Sequence, residues 1–271
     1  MIDLVERMER TMTFETQKRR RKRAAIDWDT VMACMDLKGY VILGDVFRKK
    51  QLQDMHDLAR EKTAGEPSTQ GRMQLPITDQ VVDSGIVDNP DLLRVVEGLL
   101  GDSCTLRTIR VDTGKQEHSD EIVMDSTSLF PEATQTHLPC YRLHVTIPLA
   151  SLKVNQNWLE IWPGSHAHQP HYFRKYGMDC MQRLAERLPT EAVNVPFGSV
   201  LIRDSRLWYR DPHAVPRMNL ELTYQRWWDI TGEQQIIAES LYRQMTPRLQ
   251  RLLYMEKVVE EGMYVHEVDG R

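Results

Sequence analysis

Between Thr136 and Tyr224 the chain reads as a succession of short apolar strands separated by tight turns, and this stretch constrains the fold more than any other. Leu143-His144-Val145-Thr146-Ile147-Pro148-Leu149 is one such strand, and Trp158 to Trp162 is another. Pro163-Gly164-Ser165 then supplies a turn, because proline and glycine adopt the backbone angles that turns require. Val193-Asn194-Val195 precedes a second turn at Pro196-Phe197-Gly198, and Val200-Leu201-Ile202 follows it. Met218 to Trp227 alternates Leu220, Leu222 and Tyr224 with polar residues, as a half-buried strand does. Many short strands of this kind form an antiparallel sandwich or jelly roll, whose mouth is a natural ligand cavity.

Helical patterns flank this region. Asp27 and Asp29 are placed to cap a short helix through Met35, followed by a β-branched strand, Gly39-Tyr40-Val41-Ile42-Leu43. Residues 48–62 set Leu52, Met55, Leu58 and Ala59 on one helical face. Pro90 to Leu100 is a second helix, with proline at its start and Gly101 after its end. Thr105 to Val111 resembles a strand, and Lys115 to about Glu121 a polar loop. Tyr172 to Leu188 reads as helical or as an insertion. The tail from Glu233 to about Glu261 reads as helical, interrupted at Pro247. Helices, then strands, then a helical tail give an α+β class.

At 271 residues with no long Gly/Ser/Pro linker, one domain over residues 26–271 is expected, preceded by a polar arm at 1–25. The arm carries Lys18-Arg19-Arg20-Arg21-Lys22-Arg23, read as a solvated basic run because no aromatic residue accompanies it. A net charge of −4 gives no general attraction to nucleic acid. No apolar run reaches the length of a membrane span, and the first residues lack the order of a signal peptide. Cys34, Cys104, Cys140 and Cys180 form no CxxC pair. Reduced thiols and a cytoplasmic location follow as expectations.

Three ordered segments carry a resemblance. Phe130-Pro131-Glu132-Ala133-Thr134-Gln135-Thr136-His137 comes first, then Pro163-Gly164-Ser165-His166, then Arg203-Asp204-Ser205-Arg206-Leu207-Trp208-Tyr209-Arg210 with Arg217 beyond it. Together with Gly39 to Phe47 and Tyr224-Gln225-Arg226-Trp227-Trp228, they resemble the phytanoyl-CoA dioxygenase family of iron(II)/2-oxoglutarate oxygenases over roughly Asp36 to Trp228. The resemblance implies a double-stranded β-helix (jelly-roll) core flanked by helices. It also implies iron(II) and 2-oxoglutarate as cofactors, His137 as a metal ligand and Arg217 as the arginine that grips 2-oxoglutarate. Gln135 falls in the segment that lines the cosubstrate pocket.

The chain departs from that family at two ligand positions. Iron(II) in such a site needs two imidazoles and a carboxylate on one face. Pro139 stands where the His-x-Asp carboxylate should be, and Tyr209 stands where the distal histidine should be. A phenol titrates near ~10 and is a poor ligand for iron(II). His213 lies four residues beyond Tyr209 in a shortened loop, and with Asp204 or Asp211 it is a candidate for a rearranged ligand set. His144 is a weaker candidate. His168 and His171 extend a His-x-His-x-x-His cluster that reads as solvated loop.

Three functions compete. One is an oxygenase acting on a small organic molecule, with secondary metabolites as the expected class. A second is a pseudo-oxygenase that pairs with an active paralogue. The third is a metal-free isomerase or cyclase in which Tyr209, His213 and His137 exchange protons. The expected partners are a small-molecule substrate and either further copies of the chain or a catalytic paralogue, with neither nucleic acid nor membrane.

Overall fold

Asp27 starts the first helix of the structure, a computed structural model that describes residues 25–64, 71–114, 119–125, 138–151, 159–168, 175–211, 217–232 and 234–260. Its carboxylate accepts from the backbone N–H of Thr30 at 3.2 Å and caps helix α1 (Trp28–Lys38). Gly39 ends that helix in the left-handed region, with φ at 81°. The order then runs β1 (Tyr40–Leu43), α2 (Lys49–Thr63), β2 (Arg72–Gln74), α3 (Asp79–Asp83), α4 (Pro90–Leu100), β3 (Thr105–Asp112) and β4 (Ser119–Val123). It continues with β5 (Arg142–Pro148), β6 (Leu159–Ile161), α5 (Met178–Ala185), β7 (Glu191–Val193), β8 (Val200–Asp204), β9 (Tyr209–Asp211) and β10 (Asn219–Gln225). The last elements are β11 (Ile236–Ala238), α6 (Glu239–Gln244), α7 (Pro247–Leu252) and β12 (Lys257–Val259).

The strands form a six-stranded antiparallel sheet, β1-β8-β5-β10-β3-β2, and a four-stranded one, β4-β9-β6-β7. Alternation along the large sheet sorts its residues by face. Leu143, Val145 and Ile147 of β5 join Leu220, Leu222 and Tyr224 of β10 and Val200 and Ile202 of β8 on one side. There they share one apolar core with Val31 and Met35 of α1, Leu52, Met55, Leu58 and Ala59 of α2, and Leu92, Leu93, Val95 and Val96 of α4. Burial of this helix-covered face supplies the main driving force for folding. On the opposite side Tyr40 and Leu201 pack against Leu159, Ile161, Val193 and Tyr209 of the small sheet. The same alternation directs Arg142, His144 and Thr146, Asn219, Glu221 and Thr223, and Arg203 to that second side. Between the sheets, then, the large sheet is polar along β5 and β10 and apolar at Tyr40 and Leu201.

Two sequence expectations change. The loop expected over Lys115 to Glu121 ends in strand β4, which pairs with β9. Its acidic start hides the strand, and among its described side chains only Ile122 is fully buried, against Trp162, Met181 and Trp208. The helical tail is two short helices bracketed by a parallel pair, β11 with β12. Pro247 starts a helix, with Thr246 accepting from Leu249 N–H at 3.3 Å as its cap. The tail is fastened to β3 by a buried ion pair between Arg107 and Glu256 at 2.7 Å, whose side chains are 3% and 0% exposed. Arg107 also donates to the carbonyl of Gly232 at 2.8 Å. The basic arm expected at 1–25 lies almost wholly outside the described residues.

Candidate functional site

One row of side chains crosses five strands of the large sheet on its inner face. Tyr40 of β1 stands opposite Arg203 of β8, Arg203 opposite His144 of β5, His144 opposite Thr223 of β10, and Thr223 opposite Thr108 of β3. Directly opposed residues on a sheet bring their side chains into contact. Thr108 donates its hydroxyl proton to Thr223 Oγ1 at 2.7 Å, and Thr223 lies 3.3 Å from His144 Nδ1. Thr223 can donate to Nδ1, and in that arrangement the imidazole proton sits on Nε2.

The small sheet answers this row with two groups. Tyr209, the first residue of β9, donates its phenol proton to Asp125 Oδ1 at 2.7 Å. Asp125 follows the end of β4, and its other oxygen accepts from Arg203 Nη1. His144 Nε2 is 3.8 Å from that same oxygen. The Arg203 guanidinium also lies over the Tyr209 ring, 4.1 Å from its centre. Three side chains, from β5, β8 and β9, thus meet at the one carboxylate that follows β4.

Electrostatics fix their charge states. Burial by itself would raise the Asp125 carboxyl, but Arg203, His144 and the Tyr209 hydrogen bond overcome it and hold it well below the usual carboxylate range. Burial pushes His144 down to about 4, against the opposing pull of Asp125, so its imidazole is neutral at pH 7. Burial and then the Asp125 charge push the Tyr209 phenol far above its ordinary value. At its centre an anion and a cation are joined by neutral groups, and the Arg72–Glu221 ion pair at 3.3 Å adds a second pair of charges that act on them.

Arg217 lies just before β10. Its Nε donates to Asp112 Oδ2 at 2.9 Å, and its Nη2 lies 2.8 Å from Asp112 and 2.5 Å from Asp211. The carboxylates gripped by this arginine belong to the chain itself. Asp211 is engaged there, and Asp204 holds Arg206 through two hydrogen bonds at 2.9 and 2.6 Å. Arg206 also donates to the carbonyl of Leu138 at 2.7 Å. His137, Gln135 and His213 lie outside the described residues, as does His171.

The Pro163-Gly164-Ser165-His166 turn is an architectural joint. Gly164 N–H donates to the Lys38 carbonyl at 2.9 Å, Ser165 Oγ accepts from Trp208 N–H at 2.8 Å, and His166 Nε2 donates to the Asp36 carbonyl at 3.2 Å. These bonds tie the end of α1 to the strand that carries Tyr209.

No family model matches the chain. Solved structures do. HygX from Streptomyces hygroscopicus, with nickel, 2-oxoglutarate and hygromycin B bound, matches with a TM-score of 0.55 at 15% identity, over 76% of this chain and 89% of HygX. SnoN, a non-heme alpha-ketoglutarate-dependent epimerase from nogalamycin biosynthesis, matches with a TM-score of 0.51 at 16% identity, over 73% and 82% of the two chains. SnoK, a carbocyclase of the same biosynthesis, gives 0.52 at 16% identity, over 72% and 83%. The chain shares their fold.

That fold raises the question of iron. A facial iron(II) centre needs neutral imidazoles, a carboxylate and open coordination positions. At Tyr209 the chain offers a phenol whose proton is committed to Asp125, and a carboxylate already neutralised by a guanidinium. Among the described residues no group of three or more His, Cys, Asp or Glu side chains is arranged to hold a metal ion. The described residues around Tyr209 do not fit such a centre.

Sequence reading missed Asp125, Arg203, Thr108 and Thr223. Arg203 had a signal, since a charged residue inside the buried run Val200-Leu201-Ile202-Arg203 needs an internal partner. Asp125 had none.

Proposed function

We propose that this protein is a phytanoyl-CoA dioxygenase-type protein that holds a small organic substrate between its two sheets, without the ordinary iron centre of that family. The observation that carries the reading is Tyr209. It occupies the position that the resemblance gives to the distal metal histidine, and it is spent as a hydrogen-bond donor to Asp125. The pairing at Arg217 supports the same reading, because Asp112 and Asp211 take the place of an external carboxylate.

The core is a double-stranded β-helix in this reading. In support, the chain from β3 to β10 changes sheet at every step except the β6–β7 hairpin, with β3-β10-β5-β8 in one sheet and β4-β9-β6-β7 in the other. The substrate class is drawn from the fold neighbours, one of which is bound to hygromycin B and two of which serve nogalamycin biosynthesis. The residues of this chain supply a cation at Arg203, a neutral imidazole donor at His144 and a phenol at Tyr209 for orienting such a molecule. The hydroxyl chain from Thr108 through Thr223 to His144 favours metal-free acid–base chemistry as the second reading. Turnover in the presence of a chelator and the absence of oxygen is its measure.

Anaerobic calorimetry of metal-stripped protein with iron(II), with and without 2-oxoglutarate, tests the proposal. The expected result is no stoichiometric iron binding and no gain from 2-oxoglutarate. One-to-one binding that strengthens with 2-oxoglutarate and disappears in His137→Ala overturns it.

A further inference from the structure

We infer that Arg203, Tyr209 and His144 form a carboxylate-recognition site for the ligand, and that Asp125 is its resident, displaceable occupant. Three donors on three strands converge on one carboxylate: the Tyr209 hydroxyl from β9, the Arg203 guanidinium from β8 and the imidazole of His144 from β5. A planar guanidinium flanked by neutral donors is the usual complement of a carboxylate.

The site has more donor capacity than Asp125 uses. Arg203 is 4% exposed, and its Nε is buried without an acceptor among the described residues. His144 Nε2 is also buried without one, since 3.8 Å to Asp125 is too long for a hydrogen bond. Unsatisfied buried donors are uncommon in folded proteins, and two within one cluster point to a ligand with more acceptors or a better placement than Asp125 has.

The attachment of Asp125 suits an exchange. It follows β4, the edge strand of the small sheet, whose ladder with β9 holds Ser119↔Asp211 and Val123↔Tyr209 with a register shift between them. Ile122 is the anchor, buried against Trp162, Met181 and Trp208. Beyond it Val123 is exposed, Met124 is only partly buried against the same cluster, and Asp125 follows as the last described residue of the segment. The exchange also conserves charge. Arg203 cannot stay buried without an anion, and Asp125 provides one until another carboxylate arrives.

This rests on the reading of the space between the sheets as the ligand site, and it fails separately from the iron question because its readout is carboxylate binding without metal. Thermal melts and calorimetry of the full chain with sodium acetate, succinate and 2-oxoglutarate, at constant ionic strength and with chelator, provide the test. Wild type is expected to bind at least one of them, and Asp125→Asn to bind it about tenfold more tightly because the internal competitor is gone. Tyr209→Phe keeps the ring and loses the donor, and is expected to weaken binding about tenfold. Arg203→Met is expected to abolish it. Preference for 2-oxoglutarate over succinate would identify the ligand as a keto acid, and equal response would assign the site to a substrate carboxylate. Absence of binding by wild type overturns the inference, even if Asp125→Asn responds, because Asp125 is then a permanent counter-ion. Binding unaffected by Tyr209→Phe overturns it as well.

Discussion

His144 is neutral in the fold because burial pushes its imidazole down to about 4. In the unfolded chain it titrates near ~6.5. Between those values the unfolded chain binds a proton that the native chain refuses, so this histidine makes stability fall as pH drops through that window. Its effect is absent above the unfolded value, where both states are neutral. Denaturant melts of wild type and His144→Gln from pH 4 to 7 check the point, with the wild-type curve losing more stability on acidification than the variant. Equal slopes would contradict it. At this level the sequence was partly legible. Tyr209 and Pro139 stood out as departures because a known pattern surrounds them. Asp125 was silent because nothing local distinguishes one acid in Ser119-Asp120-Glu121-Ile122-Val123-Met124-Asp125 from another, and its importance comes from Arg203, far away in the chain.

The joint between α1 and β1 shows how elements are held at fixed distances. Gly39 combines a φ of 81° with a close approach: a Cβ there would lie 2.5 Å from His166 Nδ1 and 2.9 Å from Leu207 Cδ1. Gly39→Ala is therefore expected to cost about 2 kcal/mol or more, from backbone strain plus overpacking. Adding His166→Ala is expected to return part of the loss, and urea melts of the single and double variants measure it. A single variant within experimental error of wild type would refute the account. Elements with strong periodicity were readable in advance, as α4 shows, running from Pro90 to Leu100 as its proline and glycine signals indicate. β4 and the β11/β12 pair were not. Each is only three to five residues long and gains its stability from a partner strand that the local pattern does not reveal.

For the molecule as a whole, the tail is part of the fold because Arg107 and Glu256 close a buried contact between β3 and the start of β12. Glu256→Gln leaves a buried guanidinium without its charge partner, an imbalance that costs about 3–5 kcal/mol in comparable sites. The variant is expected to lower the melting temperature and to expose the tail to limited proteolysis ahead of the sheets. Simultaneous loss of tail and sheets would instead show a single cooperative unit. The broad α+β plan was visible from the order of patterns, whereas the polar interior between the sheets was not, because alternation shows that a strand has two faces without saying what the second one meets. That interior has a consequence for assembly. Thr108 and Thr223 touch across 115 residues of chain, so the sheet forms from distant partners and is open to misalignment. A one-residue slip of β8 would turn Arg203 into the apolar core beneath the helices and bring Ile202 into the polar row. Each strand must therefore arrive in the correct register for the guanidinium, the imidazole and the hydroxyls to find one another, and the row serves the folding chain as a proofreading device.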